Sequence, residues 1–332
     1  MTKIKRELAF IYSENTRIKI KELAGLLRTS SQRIKYLLKV LEKEDFVYNP
    51  HCVLDYSYFG LLLFRVYFKG AYISEKHKSE IIKKLAENKY VVAIYELSGE
   101  YDLVVEIQAP NPSRFNKELR EITSNTQTLR HYKTALNIVT HLYPKYYLTK
   151  DEELQTYMSP QIIIGGDRKV RQFNEKETLV IMNIMNNPKI RMTNLARKCE
   201  LNVRTANKIL SELKKQRIIK GFKQLINTDK LQVYSFRLYL KLHNISKTRE
   251  EELMNYLLKT KEIVQANKTV GDWDLEIDIE ALNKTKIRQL TIEIRESFKD
   301  IIETFNIMEF YEYYMRSYLP KYIFEKQETQ TI

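Results

Sequence analysis

The chain has 332 residues, of which 43% are hydrophobic and 30% charged, with a formal net charge of +14; such a composition suits about two to four globular domains with real cores. Its most apolar stretch, Leu61 to Phe68, is interrupted by Arg65 and is far shorter than a bilayer crossing, and Glu7 precedes any sizeable apolar run, so neither a membrane span nor a secretory signal is expected. The two cysteines, Cys52 and Cys199, and five scattered histidines lack metal-ligand spacing, which argues against a zinc site or a disulfide framework and for a reduced, cytoplasmic protein with no cofactor or metal.

In chain order, residues 1–58 begin with helical patterns of helix-turn-helix spacing. Ala24 puts a small side chain where the second helix must approach the third, and Ile34 and Leu37 fill that angle. Ser30 or Ser31 can cap the third helix, whose outward residues Ser31, Gln32, Arg33, Lys35 and Tyr36 can contact base edges and phosphates. A β-rich stretch from Phe46 to Leu54 is positioned like a wing. At 59–148 the period changes from 3.6 to 2: Leu62, Phe64, Val66 and Phe68 alternate with Leu63, Arg65, Tyr67 and Lys69. Helix, strand, strand, helix and strand follow, at Glu75 to Asn88, Val91 to Leu97, Tyr101 to Ala109, Pro112 to Ser124, and Leu129 to His141, which makes a ferredoxin-like βαββαβ unit.

Residues 149–173 contain an acidic cluster, Pro160 and Gly165-Gly166, and read as a linker; fully extended, it could span about 80 Å. Beyond it the chain repeats itself. Phe64-Arg65-Val66-Tyr67-Phe68-Lys69 returns 172 positions later as Phe236-Arg237-Leu238-Tyr239-Leu240-Lys241, and Gly99-Glu100-Tyr101-Asp102-Leu103 as Gly271-Asp272-Trp273-Asp274-Leu275. The second helical unit occupies 174–232, with a third helix at Val203 to Lys215, a cap at Asn202, an inward face of Ala206, Ile209, Leu210 and Leu213, and outward Arg204, Thr205, Asn207 and Lys208. Ile218 to Ile226 matches the first wing, 233–324 repeats the ferredoxin-like unit, and 325–332 is a tail. The fold class is therefore α+β, two copies of a winged helix-turn-helix followed by a ferredoxin-like domain.

Charge is distributed unevenly between the copies. Residues 167–232 hold sixteen Lys and Arg against six Asp and Glu, while 233–332 hold fifteen against seventeen, which points to a polyanion partner for the former segment. Repetition of Arg65, Tyr67 and Lys69 as Arg237, Tyr239 and Lys241 implies that this sheet face meets a partner, most simply the other copy's sheet.

Leu195-Ala196-Arg197-Lys198 leading to Leu201-Asn202-Val203, then Leu213 to Phe222, together with a Gly-x-x-Asp junction between the second and third strands, resembles the Lrp/AsnC (feast/famine) transcriptional regulators. The resemblance spans nearly the whole chain apart from the linker and tail. It implies double-stranded DNA as a partner, an intramolecular pseudo-dimer open to further homo-oligomerisation, and a small amino-acid-like effector near Gly99, Tyr101, Asp102, Gly271, Trp273 and Asp274. Read from the residues alone, the same glycines and aspartates can simply make tight turns. Siroheme decarboxylases share this architecture, and an enzyme of that kind would have to use Arg130, His131 and His141, which lie on one predicted strand. No paired carboxylates, nucleophile triad or phosphate-binding glycine loop is present, so the chain is expected not to be an enzyme.

Overall fold

A computed structural model describes residues 2–126 and 128–325, so nearly all of the tail at 325–332 lies outside the described residues. The first copy comprises α1 (Lys3–Glu14), α2 (Ile20–Leu26), α3 (Ser31–Lys43), β1 (Val47–Leu54), β2 (Leu62–Phe68), α4 (Glu75–Glu87), β3 (Val91–Ser98), β4 (Leu103–Ala109), α5 (Pro112–Asn125) and β5 (Tyr132–Leu142). After α6 (Glu152–Thr156) and β6 (Ile162–Gly165), the second copy follows as α7 (Glu175–Asn186), α8 (Met192–Lys198), α9 (Val203–Lys215), β7 (Ile219–Ile226), α10 (Thr228–Leu231), β8 (Tyr234–Leu242), α11 (Lys247–Lys259), β9 (Ile263–Val270), β10 (Leu275–Ala281), α12 (Lys284–Ser297) and β11 (Ile302–Arg316). This is the expected α+β arrangement, two helix-turn-helix units each followed by a ferredoxin-like unit.

The two ferredoxin-like sheets close into one barrel. Its strands run β2, β4, β3, β11, β8, β10, β9, β5 and back to β2, with β6 added outside β5. Two of these junctions join the copies, β3 to β11 and β5 to β9, both antiparallel. Closure removes the exposed sheet edges that each half would otherwise present. The alternation in β2 and β8 explains which side chains go where. Phe64, Val66 and Phe68 face outward into a core with α4 and α5, and Leu238 and Leu240 do the same with α11 and α12.

The intervening residues point into the barrel, where the copies meet. Arg65 and Arg237 are fully enclosed, as are Tyr67, Tyr95 and Tyr239. Arg65 donates from Nε to Glu106 and from Nη1 to Glu276 of the other copy, both at 2.7 Å. Tyr67 also donates to Glu276, while Arg237 grips Asp278 through Nε at 2.5 Å and Nη2 at 2.9 Å and lies 4.8 Å over the ring of Tyr95. The repeated Arg and Tyr therefore do meet the other copy. Lys69 and Lys241 do not join them: Lys69 is exposed, and Lys241 turns to Asp274 of its own copy.

The stretches read as wings are single strands, β1 and β7, that pair with each other as an antiparallel ribbon, Cys52 opposite Phe222 and Val47 opposite Ile226. A lone strand cannot satisfy its own backbone, so each takes its partner from the other copy. The first helical bundle packs at the end of the ribbon that carries Val47 and Ile226, and the second at the end that carries Cys52 to Leu54 and Ile219. The bundles also touch one another, through Arg17 Nη1 to the Pro188 carbonyl at 3.0 Å and Lys189 to Glu42 at 2.6 Å.

Residues 149–173 are more ordered than a linker reading suggests. Leu154 and Ile164 are buried, β6 pairs with β5, the Arg171 amide donates to the Tyr58 carbonyl at 2.8 Å, and Phe59 stacks on Phe173 at 4.4 Å. Apolar residues between the glycines and the acidic cluster supply this attachment, which the composition of the segment conceals. Glu276 supports the enclosed arginines, whereas its counterpart in the first copy is Val104. Glu276→Val is expected to lower stability by about 3–5 kcal/mol in urea unfolding, since removing one partner leaves buried charge uncompensated.

Candidate nucleic-acid interface and ligand sites

The third helix of each bundle, α3 or α9, presents one apolar and one polar face. Ile34, Leu37 and Leu41 are buried on α3, and Ala206, Leu210 and Leu213 on α9, at the three- and four-residue spacing of one helix face. Ser31, Gln32, Arg33, Lys35 and Tyr36 all lie on the exposed side, with Tyr36 66% exposed. Arg204, Asn207 and Lys208 are likewise exposed, and Thr205 is half-buried. The residues before these helices have local duties. Asn202 Oδ1 accepts the Thr205 amide at 2.7 Å, and Ser30 rather than Ser31 caps α3 by accepting the Arg33 amide at 3.2 Å. Arg28 and Glu200, in the turns between second and third helices, adopt φ of 48° and 54°, so charged residues hold the left-handed positions that glycine would take more easily.

The basic excess of 167–232 is less concentrated in space than in sequence. Lys189, Lys220, Lys223 and Lys230 pair with Glu42, Asp55, Glu14 and Asp45 of the first copy. Cations from one copy thus serve partly to hold the other, and the exposed faces of α3 and α9 are more alike in charge than the sequence totals suggest.

The Gly-x-x-Asp residues converge at one end of the barrel. Tyr101 and Trp273 come from different copies with ring centres 6.0 Å apart, and Tyr67 and Tyr239 pack against Trp273 at 5.2 and 4.6 Å. Asp102 accepts the amides of Gly70 at 2.5 Å and Ala71 at 3.2 Å, and Asp274 accepts the Leu242 amide at 2.8 Å and Lys241 Nζ at 3.1 Å. Gly99 has φ of +143°, and a Cβ there would sit 3.3 Å from Met308; at Gly271 a Cβ would lie 3.2 Å from Ala135 Cβ and the Thr134 carbonyl. Each glycine therefore lets a turn press against the other copy's strand, and each aspartate caps the end of its own strand β2 or β8. The aromatic rings fill the space between the two turns.

The residues considered for a decarboxylase do not converge. Arg130 and His131 are exposed just before β5, whereas His141 lies ten positions further along it, roughly 30 Å away, bonded through Nδ1 to Gln161 at 3.2 Å.

One partly open site was not foreseen from the sequence. Between the β1–β7 ribbon and the nearer barrel mouth lies a cavity of about 70 Å3, lined among others by Tyr48, His51, Lys223, Gln265, Arg316 and Tyr318. A cavity of this size is far below the few hundred Å3 of a pocket for a large cofactor. His51 is buried and its Nδ1 lies 2.8 Å from the Asn49 carbonyl, so Nδ1 carries the proton and Nε2 is an acceptor. Burial first, then the charges of Arg316 and Lys223, push its pKa down to about 3.

No family model matches the chain. Over 138 residues, 42% of this chain, it is 26% identical to an uncharacterised helix-turn-helix-type transcriptional regulator of Pyrococcus horikoshii, covering 88% of that protein. Over 108 residues, 32% of this chain, it is 33% identical to the HTH-type transcriptional regulator FL11 of Pyrococcus furiosus, covering 66% of it. Its sequence relatives are helix-turn-helix transcriptional regulators. Over 96% of this chain the structure is similar to that of the siroheme decarboxylase NirDL, with a TM-score of 0.57, 94% of that chain covered and 12% identity, a likeness of fold alone. Among the described residues no helix is long and apolar enough to cross a membrane.

The neutral buried imidazole has a consequence for pH. Because the folded pKa of His51 lies below its ordinary 6.5, the unfolded chain binds the extra proton, and stability is lost as pH falls from about 6.5 toward 3. His51→Asn, which keeps a donor for the Asn49 carbonyl, is expected to flatten the urea-unfolding stability by up to about 1.4 kcal/mol per pH unit in that window.

Proposed function

We propose that the chain is a sequence-specific DNA-binding transcriptional regulator in which the two copies act as an intramolecular pseudo-dimer on an imperfect inverted repeat, and that it is not an enzyme. One observation carries this reading: two exposed, polar third helices of different sequence are held in a set relation by a ribbon to which each copy gives one strand. The names of the sequence relatives favour it as well. Residues that would meet DNA are Ser31, Gln32, Arg33, Lys35 and Tyr36 in one half-site and Asn202, Arg204, Thr205, Asn207 and Lys208 in the other, with Arg and Lys on phosphates or guanine edges and Asn on adenine. Different side chains on the two helices imply half-sites of different sequence. An amino-acid-like effector at the Gly-x-x-Asp turns, near Gly99, Tyr101, Asp102, Gly271, Trp273 and Asp274, completes the reading.

Selection of bound duplexes from a random pool, followed by gel shifts, tests the proposal. Two unlike half-sites about one or more helical turns apart are expected, and an absence of salt-sensitive, site-selective binding would end it. Arg33→Ala and Arg204→Ala are each expected to weaken operator binding about tenfold, and comparably, because cross-copy ion pairs even out the charge. If one substitution is silent, the chain reads a single half-site. Titration with siroheme is expected to leave the absorbance spectrum of the tetrapyrrole unchanged; a shifted band would favour the decarboxylase reading instead.

A further inference from the structure

We propose that an open groove between the first helical bundle and the second copy's part of the barrel docks an extended peptide segment of a partner protein, apolar along its length and acidic where it meets α1. The docking does not depend on the DNA reading. It follows from two grooves that the repeat makes equivalent and the structure treats differently.

One of the two grooves, between the second bundle and the first copy's part of the barrel, is filled by this chain itself. Residues 166–173 run through it toward α7. The Gly166 amide donates to the Ile138 carbonyl and the Arg171 amide to the Tyr58 carbonyl, both at 2.8 Å. Val170 lies over Gly60, where a Cβ would come within 3.5 Å of it, and Phe173 stacks on Phe59. Arg171 then reaches Glu177 of α7 through Nη2 at 2.5 Å.

The other groove has the same walls. Shifted by the repeat offset of 172, Ile138, Tyr58, Phe59, Gly60 and Glu177 become Phe310, Lys230, Leu231, Gln232 and Lys5, and all five line the second groove, which is open and holds about 1000 Å3. The backbone takes the same course in both, since Gly60 and Gln232 share the left-handed conformation at φ of 69° and 55°. Here the Lys230 carbonyl, equivalent to the one that receives Arg171, accepts no hydrogen bond among the described residues. Exposed side chains from three separate elements, Tyr234, Leu282 and Tyr311, converge on the groove, and such a cluster marks an interaction surface more than a solitary apolar residue does.

Charge specifies the occupant. Lys5 and Arg6 stand where the filled groove has Glu177 and Thr178, and both are half-buried without an ion pair among the described residues. Of the other charges in the lining, Lys230 pairs with Asp45 and Glu309 with Lys284, which leaves Lys5 and Arg6 on the bundle side and Asp229 on the barrel side. A segment like 166–173 would bring Arg171 against two cations. An acidic residue at that place fits instead, with main-chain bonding for affinity and apolar side chains on the tyrosines and Leu282. Residues 166–173 tie the second bundle to the barrel, and an occupant of the open groove would tie the first.

Peptides spanning Gly166 to Asn174, one of native sequence and one carrying Arg171→Glu, titrated calorimetrically into the full chain, test this. The Arg171→Glu peptide is expected to bind at about 0.1–1 mM, at least about fivefold more tightly than the native one. Lys5→Glu in the protein is expected to reverse that order, and Leu282→Lys to weaken both peptides; neither side chain is buried, and together they locate binding to the open groove. Binding of neither peptide at about 1 mM, or an order that Lys5→Glu leaves unchanged, would overturn the site. Concentration-dependent dimerisation in sedimentation that Leu282→Lys abolishes would assign the groove to a second copy of this chain and overturn the partner segment.

Discussion

Charge enclosed inside the barrel is the constraint on which the rest of this molecule depends. Arg65 meets Glu106 of its own copy and Glu276 of the other, and Arg237 meets Asp278 of its own copy, so one ion pair at hydrogen-bond distance crosses between the halves. Neither ferredoxin-like sheet can leave such a face in contact with apolar neighbours, and the pairs each forms within itself are completed by groups of the other copy, Glu276 for Arg65 and the Tyr95 hydroxyl for Arg237. Closure solves both problems together, because the same strands that join the sheet edges bring Glu276 to Arg65. Aromatic rings fill the remaining volume, and Tyr95 supplies both a face for Arg237 and a hydroxyl that accepts from it at 2.5 Å.

The ribbon stands between this rigid body and the helical bundles. It has only two strands, so most of its order comes from what packs on it: a bundle at either end and the barrel mouth beneath. The Thr16 amide donates to the Phe222 carbonyl at 2.9 Å and Gln224 donates to the Tyr12 carbonyl at 3.2 Å, so the first bundle is bonded to the second copy's strand. Residues 149–173, pinned along β5, set where the second bundle begins.

Much of this was legible in the sequence. Strict alternation in Phe64 to Lys69 and Phe236 to Lys241 located β2 and β8 and named the face that meets the other copy, since period-two patterns survive wherever two faces differ in polarity. Asn202 and Ser30 marked helix starts through their own chemistry. What could not be read depends on contacts between distant positions. Pairing of β1 with β7 has no local signature that separates a shared strand from a wing. The basic excess of 167–232 gave no hint that Lys189, Lys220, Lys223 and Lys230 face acids of the first copy. The cavity joins side chains from β1, β7, β9 and β11, and its single advance signal was weak: Leu142-Tyr143-Pro144-Lys145-Tyr146 matches Tyr318-Leu319-Pro320-Lys321-Tyr322 at an offset of 176, about four residues having been inserted late in the second copy, and this sets Arg316 against Thr140, a charge with no counterpart in the repeat.

Glu276 and Val104 occupy equivalent places in the two copies, and that difference bears on how the chain can exist at all. Two first copies brought together would enclose two Arg65 side chains with a valine at both shared positions. Two second copies would bring a pair of Glu276 carboxylates into one interior. The charges would cancel in number in either assembly, but the Arg65–Glu276 ion pair and the Tyr67–Glu276 hydrogen bond that now cross between the copies would be lost, so the covalent link holds together two halves whose interior contacts have become complementary rather than identical.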